Sequence, residues 1–167
     1  TVNRSGRTRL GIPCIDDLAA TLKKNGIRQA IIPAEIYAYD VKRKTRVNDL
    51  INALADDRKI GTLRLACDDI LELDGQEWKP KNYGQTLEKL DEILKGGTLV
   101  HNVDWMGAKS NAEVKEMFAK WVEGEDSEGL VVRSEMPFVW KIKPRHNVDA
   151  VVVGFTEGTG DARGQVR

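Results

Sequence analysis

The chain has 167 residues and, with 26 Lys+Arg against 26 Asp+Glu, no net charge. That length suits about one domain, and 41 % hydrophobic with 31 % charged residues is ordinary for a soluble globular protein. Neutrality excludes a uniformly basic nucleic-acid module, so any nucleic-acid contact would come from local basic patches or from another part of the protein.

The beginning reads as a hairpin already under way: Arg4-Ser5-Gly6 as a turn, 8–10 as the returning strand. Cys14 and Cys67 show neither paired nor metal-ligand spacing, which makes a reducing, intracellular (cytoplasmic) compartment the expectation. Residues 15–25 carry Ile15, Leu18, Ala19 and Leu22 at helical spacing, acids early, lysines late, and Gly26 as the stop. Residues 28–40 turn extended, with Pro33 as a strand start or bulge. There Glu35, Tyr37 and Tyr39 share one face, and Ala34, Ile36 and Ala38 the other.

Residues 47–57 read as a second helix, with Leu50, Ile51, Leu54 and Ala55 on a stripe. The basic cluster Arg43, Lys44 and Arg46 before it is a solvated linker or a phosphate-backbone contact. A strand is expected over 62–73, ending in an Asp74-Gly75 turn. A third helix over 83–95 places Leu87, Leu90, Ile93 and Leu94 inward, and a strand over 98–105 follows. Ser110 and Glu113 read as a capping box, with Val114, Met117, Phe118 and Trp121 as core. His101 and His146 lack partner histidines at ligand spacing and read as structural or solvated. No apolar run reaches the length of a membrane span, and the start is not a signal peptide.

The chain from Ser127 to Phe155 reads as three strands. Glu128-Gly-Leu-Val-Val-Arg133 is a short apolar run opened by a carboxylate. Phe138-Val-Trp-Lys-Ile-Lys143 alternates apolar and basic, which puts Lys141 and Lys143 on one face. Residues 148–155 are nearly all apolar, as in a strand buried on both faces. A carboxylate beside two lysines suits a metal-bound polyphosphate: the carboxylate holds a hard cation, and the ammonium groups offset phosphate charge. On periodicity alone the same residues also read as ordinary surface charges. The alternation of helices with antiparallel-looking strands makes the expected class α+β, antiparallel sheets flanked by helices.

Glu-Gly-Leu-Val-Val-Arg followed by Trp-Lys-Ile-Lys resembles the last two nucleotidyltransferase motifs of ATP-dependent polynucleotide ligases. Three further stretches extend the resemblance. The turn Arg4-Ser5-Gly6 is similar to the Ser/Asn-Arg-x-Gly turn that follows the family's nucleophile, and Ala34-Glu-Ile to the Asp-Gly-Glu-Leu motif, with Pro33-Ala34 standing where Asp-Gly is usual. Residues 68–75 resemble Phe-Asp-Leu-Leu-x-Leu-Asp-Gly, with Asp68 where the family has the aromatic that stacks on adenine.

The resemblance implies the nucleotidyltransferase (ATP-grasp-like) fold of a DNA ligase adenylation domain. A lysine attacks the α-phosphorus of ATP, pyrophosphate leaves, and AMP passes to a nucleic-acid 5′-phosphate before the nick in DNA is sealed, as in repair, replication or recombination. It implies ATP and Mg²⁺ as cofactors, nicked DNA (alternatively RNA) as partner, and a monomer. Glu128 would hold Mg²⁺ together with Glu35, Lys141 and Lys143 would bind the α-phosphate, and Arg4 and Glu35 would surround ribose and phosphates. The family's nucleophile motif, Lys-x-Asp-Gly, does not occur in the sequence. The expectation is therefore a partial adenylation domain over 1–157, lacking the nucleophile, and a junction toward an OB-fold over 158–167. Two alternatives stay open: an RNA ligase or capping-type nucleotidyltransferase, and a non-catalytic nucleotide or nucleic-acid binding module.

Overall fold

The computed structural model describes residues 6, 8–40, 42, 45–125, 127–134, 138–145 and 149–166. Arg4, the pair Arg43 and Lys44, and His146 lie outside the described residues. The chain divides into two compact units, one formed by 1–111 with 133–138, the other by 112–132 with 139–167.

The first unit is α+β. Helix α1, Pro13–Lys24, starts with Pro at its first position and places Lys23 and Lys24 in its last turn, both favourable for the helix ends. Asn25 closes it, its side-chain amide donating to the carbonyls of Ile93 (2.9 Å) and Lys95 (3.0 Å), and Gly26 follows with φ 85°. Helix α2, Val47–Ala55, is steadied by Asp49, which accepts from the Arg46 N–H at 2.7 Å. Its inward residues are Leu50, Ala53 and Leu54, whereas Ile51 and Ala55 face outward. The expected stripe is thus rotated, with Ala53 buried where Ile51 and Ala55 were expected inward. Helix α3, Tyr83–Ile93, is capped by Asn82, which accepts from the Gln85 N–H (3.1 Å), and buries Leu87, Leu90 and Ile93 as expected.

Two small sheets complete this unit. Strands β2 (Ala34–Ala38), β3 (Leu63–Cys67) and β6 (Val100–Asn102) form one, in the order β2-β3-β6. Strand β2 runs antiparallel to β3, but β3 runs parallel to β6, so the sheet is mixed. Strands β1 (Ala30–Ile31), β4 (Glu72–Leu73) and β5 (Gln76–Glu77) form the other, antiparallel throughout. The β4–β5 turn is Asp74-Gly75 with φ of 49° and 79°, as Asp-Gly favours in a two-residue hairpin.

The strand expected over 62–73 is broken into β3 and β4, which belong to different sheets. The break faces Pro33, where the partner strand also divides. Asp68 N–H donates to the Pro33 carbonyl (3.2 Å) and Leu71 N–H to that of Ile31 (2.8 Å), while Ile70 turns into the core. Both strands therefore change sheet at one corner. The strand expected over 98–105 is likewise confined to Val100–Asn102. Residues 8–10 do not form a returning strand; they are exposed and make at most an isolated bridge at Thr8.

In the second unit, helix α4 (Asn111–Met117) widens into a π-helical turn over Phe118–Gly124, with Val122 buried and Val114, Met117, Phe118 and Trp121 half-buried. Strands β7 (Leu130–Arg133), whose last residue Arg133 counts with the first unit, and β8 (Val139–Ile142) pair as a two-stranded sheet. The connection between them is too short for a parallel crossover, so they form a hairpin. The strand expected over 148–155 does not form among the described residues. Val151, Val152, Val153 and Phe155 are 85, 86, 97 and 77 % exposed. A doubly buried strand needs a neighbour on each side and a cover on each face, and among the described residues this run has none.

Candidate functional site

Two groups of polar side chains stand out, one in each unit. In the second unit, Glu128 precedes β7 and Lys143 follows β8, and the Lys143 ammonium donates to Glu128 Oε1. The contact is 54 and 83 % exposed on its two sides, so it adds little to stability. Gly129 makes it possible: a Cβ there would run into the Ile142 carbonyl oxygen and lie 2.9 Å from Lys143 Cγ. Lys141 is exposed on β8, and strand alternation puts it on the side of Lys143, away from Trp140 and Ile142. The hairpin therefore brings Glu128 and Lys143 into contact and places Lys141 on the strand side of Lys143.

Mg²⁺ is commonly held by one or two carboxylates, with waters and substrate phosphates completing the shell. Glu128, an exposed carboxylate with one ammonium group beside it, fits such shared coordination. No group of three or more His, Cys, Asp or Glu that could hold a metal alone occurs among the described residues.

The first unit holds Glu35, exposed on β2 and level with Ala66 of β3. The register groups Glu35, Tyr37, Arg64, Ala66 and His101 on one face, and Ile36, Ala38, Leu63, Leu65, Cys67 and Val100 on the other, which is core. Tyr37 and His101 meet at 2.8 Å between the hydroxyl and Nε2, with rings edge-to-face at 5.8 Å. Burial raises the Tyr37 hydroxyl pKa, with Arg64 opposing. The Arg64 guanidinium lies 5.3 Å from the Tyr39 ring centre. The bonds of His101 to Tyr37 and to the Asn102 carbonyl fit its reading as structural, although its partner Tyr37 was not foreseen. The alternation of 63–67 was visible, but the parallel pairing of β3 with β6 joins strands far apart in sequence and leaves no local signal.

Asp68 is half-buried at the end of β3, and its carbonyl accepts from the Tyr83 hydroxyl. Burial pushes that hydroxyl up to about 12, with Arg133 opposing. Arg133, the last residue of the Glu-Gly-Leu-Val-Val-Arg block, stacks 3.9 Å over the Tyr83 ring and lies 3.6 Å from Asp69. Its Nε is buried with no hydrogen-bond partner among the described residues. This arginine is thus a packing element of the first unit.

No protein-family model matches the chain, and no curated protein matches it either. Among the described residues, no helix is long and apolar enough to cross a membrane.

Proposed function

We propose that this chain is part of an ATP-dependent DNA ligase of the nucleotidyltransferase fold, acting inside the cell, and that the β7–β8 hairpin receives the triphosphate. The observation that carries the reading is the Glu128–Lys143 contact on a hairpin that also exposes Lys141. Two ammonium groups on one face offset the negative charge that grows on the α-phosphate as its bond to pyrophosphate lengthens. Mg²⁺, when bound, would be held by Glu128 and would supply further charge neutralisation at the phosphates. Lys143, once free of Glu128, would bind phosphate beside Lys141. The attacking amine belongs to a Lys-x-Asp-Gly motif, which these 167 residues do not contain. Nicked DNA is the polymer substrate, and the protein acts as a monomer.

That missing tetrad also favours a second reading, a nucleotide-binding module without chemistry of its own. Asp68 at the stacking position keeps an RNA ligase or capping-type enzyme in view. Calorimetric titration of ATP with Mg²⁺ into the chain tests the proposal. Lys141→Ala and Lys143→Ala are each expected to weaken ATP roughly tenfold or more, the scale of one lost charge-assisted contact. Equal binding by both variants overturns it. Tighter binding of GTP than ATP favours the capping-type reading.

A further inference from the structure

A groove of about 570 Å³ runs between helix α1 and the segment that leads into β1. It lies within the first unit and takes no part in the hairpin chemistry. Ile15, Leu18, Ala19 and Leu22 form its helical wall, at the spacing of one helix face. A turn folds the chain back beside that wall: Gly26 N–H donates to the Lys23 carbonyl (3.2 Å) and Ile27 N–H to the Leu22 carbonyl (2.9 Å). Gly26, with φ 85°, is the residue that permits this turn. Ile27 and Ala30 then supply the opposite wall.

Both walls are held in place. The Arg28 and Gln29 N–H groups donate to Asp74 Oδ1 at 2.7 and 3.1 Å, and Asp74 N–H donates to the Gln29 carbonyl at 2.7 Å. Asn25 fastens the helix end to the Ile93 and Lys95 carbonyls. Ala19, small and exposed, keeps the helical wall low between its larger neighbours. The polar lining consists of Lys23, Arg28 and Gln29, all exposed. The groove thus carries two cations, on either side of the Gly26 turn, and no carboxylate. Neither the Lys23 ammonium nor the Arg28 guanidinium has an ion-pair or hydrogen-bond partner among the described residues.

We propose that this groove binds an aliphatic carboxylate, its hydrocarbon chain between the two walls and its head group at Lys23 and Arg28. A preformed, mainly apolar groove of this volume with a few polar groups is the usual form of a small-ligand site. The two unpaired cations select an anionic head, and the planar fork of Arg28 matches the two oxygens of a carboxylate. The chain displaces water from Ile15, Leu18 and Ile27, which is the source of its affinity. The site stands apart from the ATP reading, and neither depends on the other.

Calorimetric titration of hexanoate, octanoate, decanoate and octanol, an uncharged probe, into the chain tests the site. Each added methylene is expected to tighten the carboxylates by up to about fourfold, and octanol is expected to bind more weakly than octanoate. The double variant Lys23→Gln with Arg28→Gln is expected to weaken octanoate about fivefold, the upper range for exposed charge contacts, and to leave octanol unchanged. Ala19→Leu puts a good helix former at an exposed position, so it is expected to fill the groove and weaken every probe without altering the circular dichroism. No carboxylate binding by the unaltered chain, or one affinity for all three chain lengths, overturns the proposal. So does octanoate binding that survives both Ala19→Leu and the double variant. Equal loss of octanoate and octanol in the double variant also overturns it, because the cations would then act on the fold and not on the head group.

Discussion

Gly129 shows how one residue type can serve a contact it does not make. Its missing side chain lets the β8 backbone pass beside Glu128, and a methyl group there would collide with the Ile142 carbonyl. Gly129→Ala is expected to destabilise the hairpin by about 1–3 kcal/mol, the usual cost of overpacking. Chemical-shift changes confined to 128–143 would check this, and an unchanged spectrum would contradict it. Lys141 and Lys143 were legible in the sequence because strand alternation alone puts them on one face. Glu128 was legible only together with them, since a lone carboxylate before an apolar run has many roles. His101 was not legible, because its partner Tyr37 lies 64 residues away and reaches it across an intervening strand.

Helices were the most legible elements, since their period and end signals are local. Helix α3 buries the leucines and isoleucine its spacing predicted. Strands 62–73 and 148–155 were misjudged because apolar runs do not reveal where a partner strand ends. One residue ties elements together in a way that can be measured. Asp17 of α1 accepts from Leu99 N–H at 2.7 Å, Thr98 N–H at 2.9 Å and Thr98 Oγ1 at 3.2 Å, docking the approach to β6 onto the helix. Burial works to raise its pKa, but these donors outweigh that and lower it. A lowered folded value means stability that is present above the unfolded carboxylate range, near pH 4, and is lost as pH falls through the folded value. Allowing for solvent exposure, the contribution is about 1 kcal/mol. Asp17→Ala should remove that part of the acid dependence in denaturant unfolding; an identical pH profile in both proteins would show that the contact carries no stability.

At the scale of the whole molecule, the core gathers in the first unit, where Cys14 and Cys67 lie free and fully buried among Leu63, Leu65 and Leu90. Burial pushes the Cys67 thiol up to about 12, with nearby Asp68 adding to it. A raised folded value stabilises below the unfolded thiol pKa, so this contribution declines from about pH 8.5 upward and is lost at the folded value. Both thiols should resist a thiol reagent at pH 8 until the first unit opens; rapid labelling of native protein would contradict that burial. The α+β class followed from the sequence, whereas the division into two units did not, because it depends on contacts between distant segments. The most direct test of the ligase account is the intact mass of the full-length gene product after incubation with ATP and Mg²⁺. The account predicts a gain of one AMP, lost in Lys141→Ala and Lys143→Ala; no gain with either ATP or GTP would contradict it.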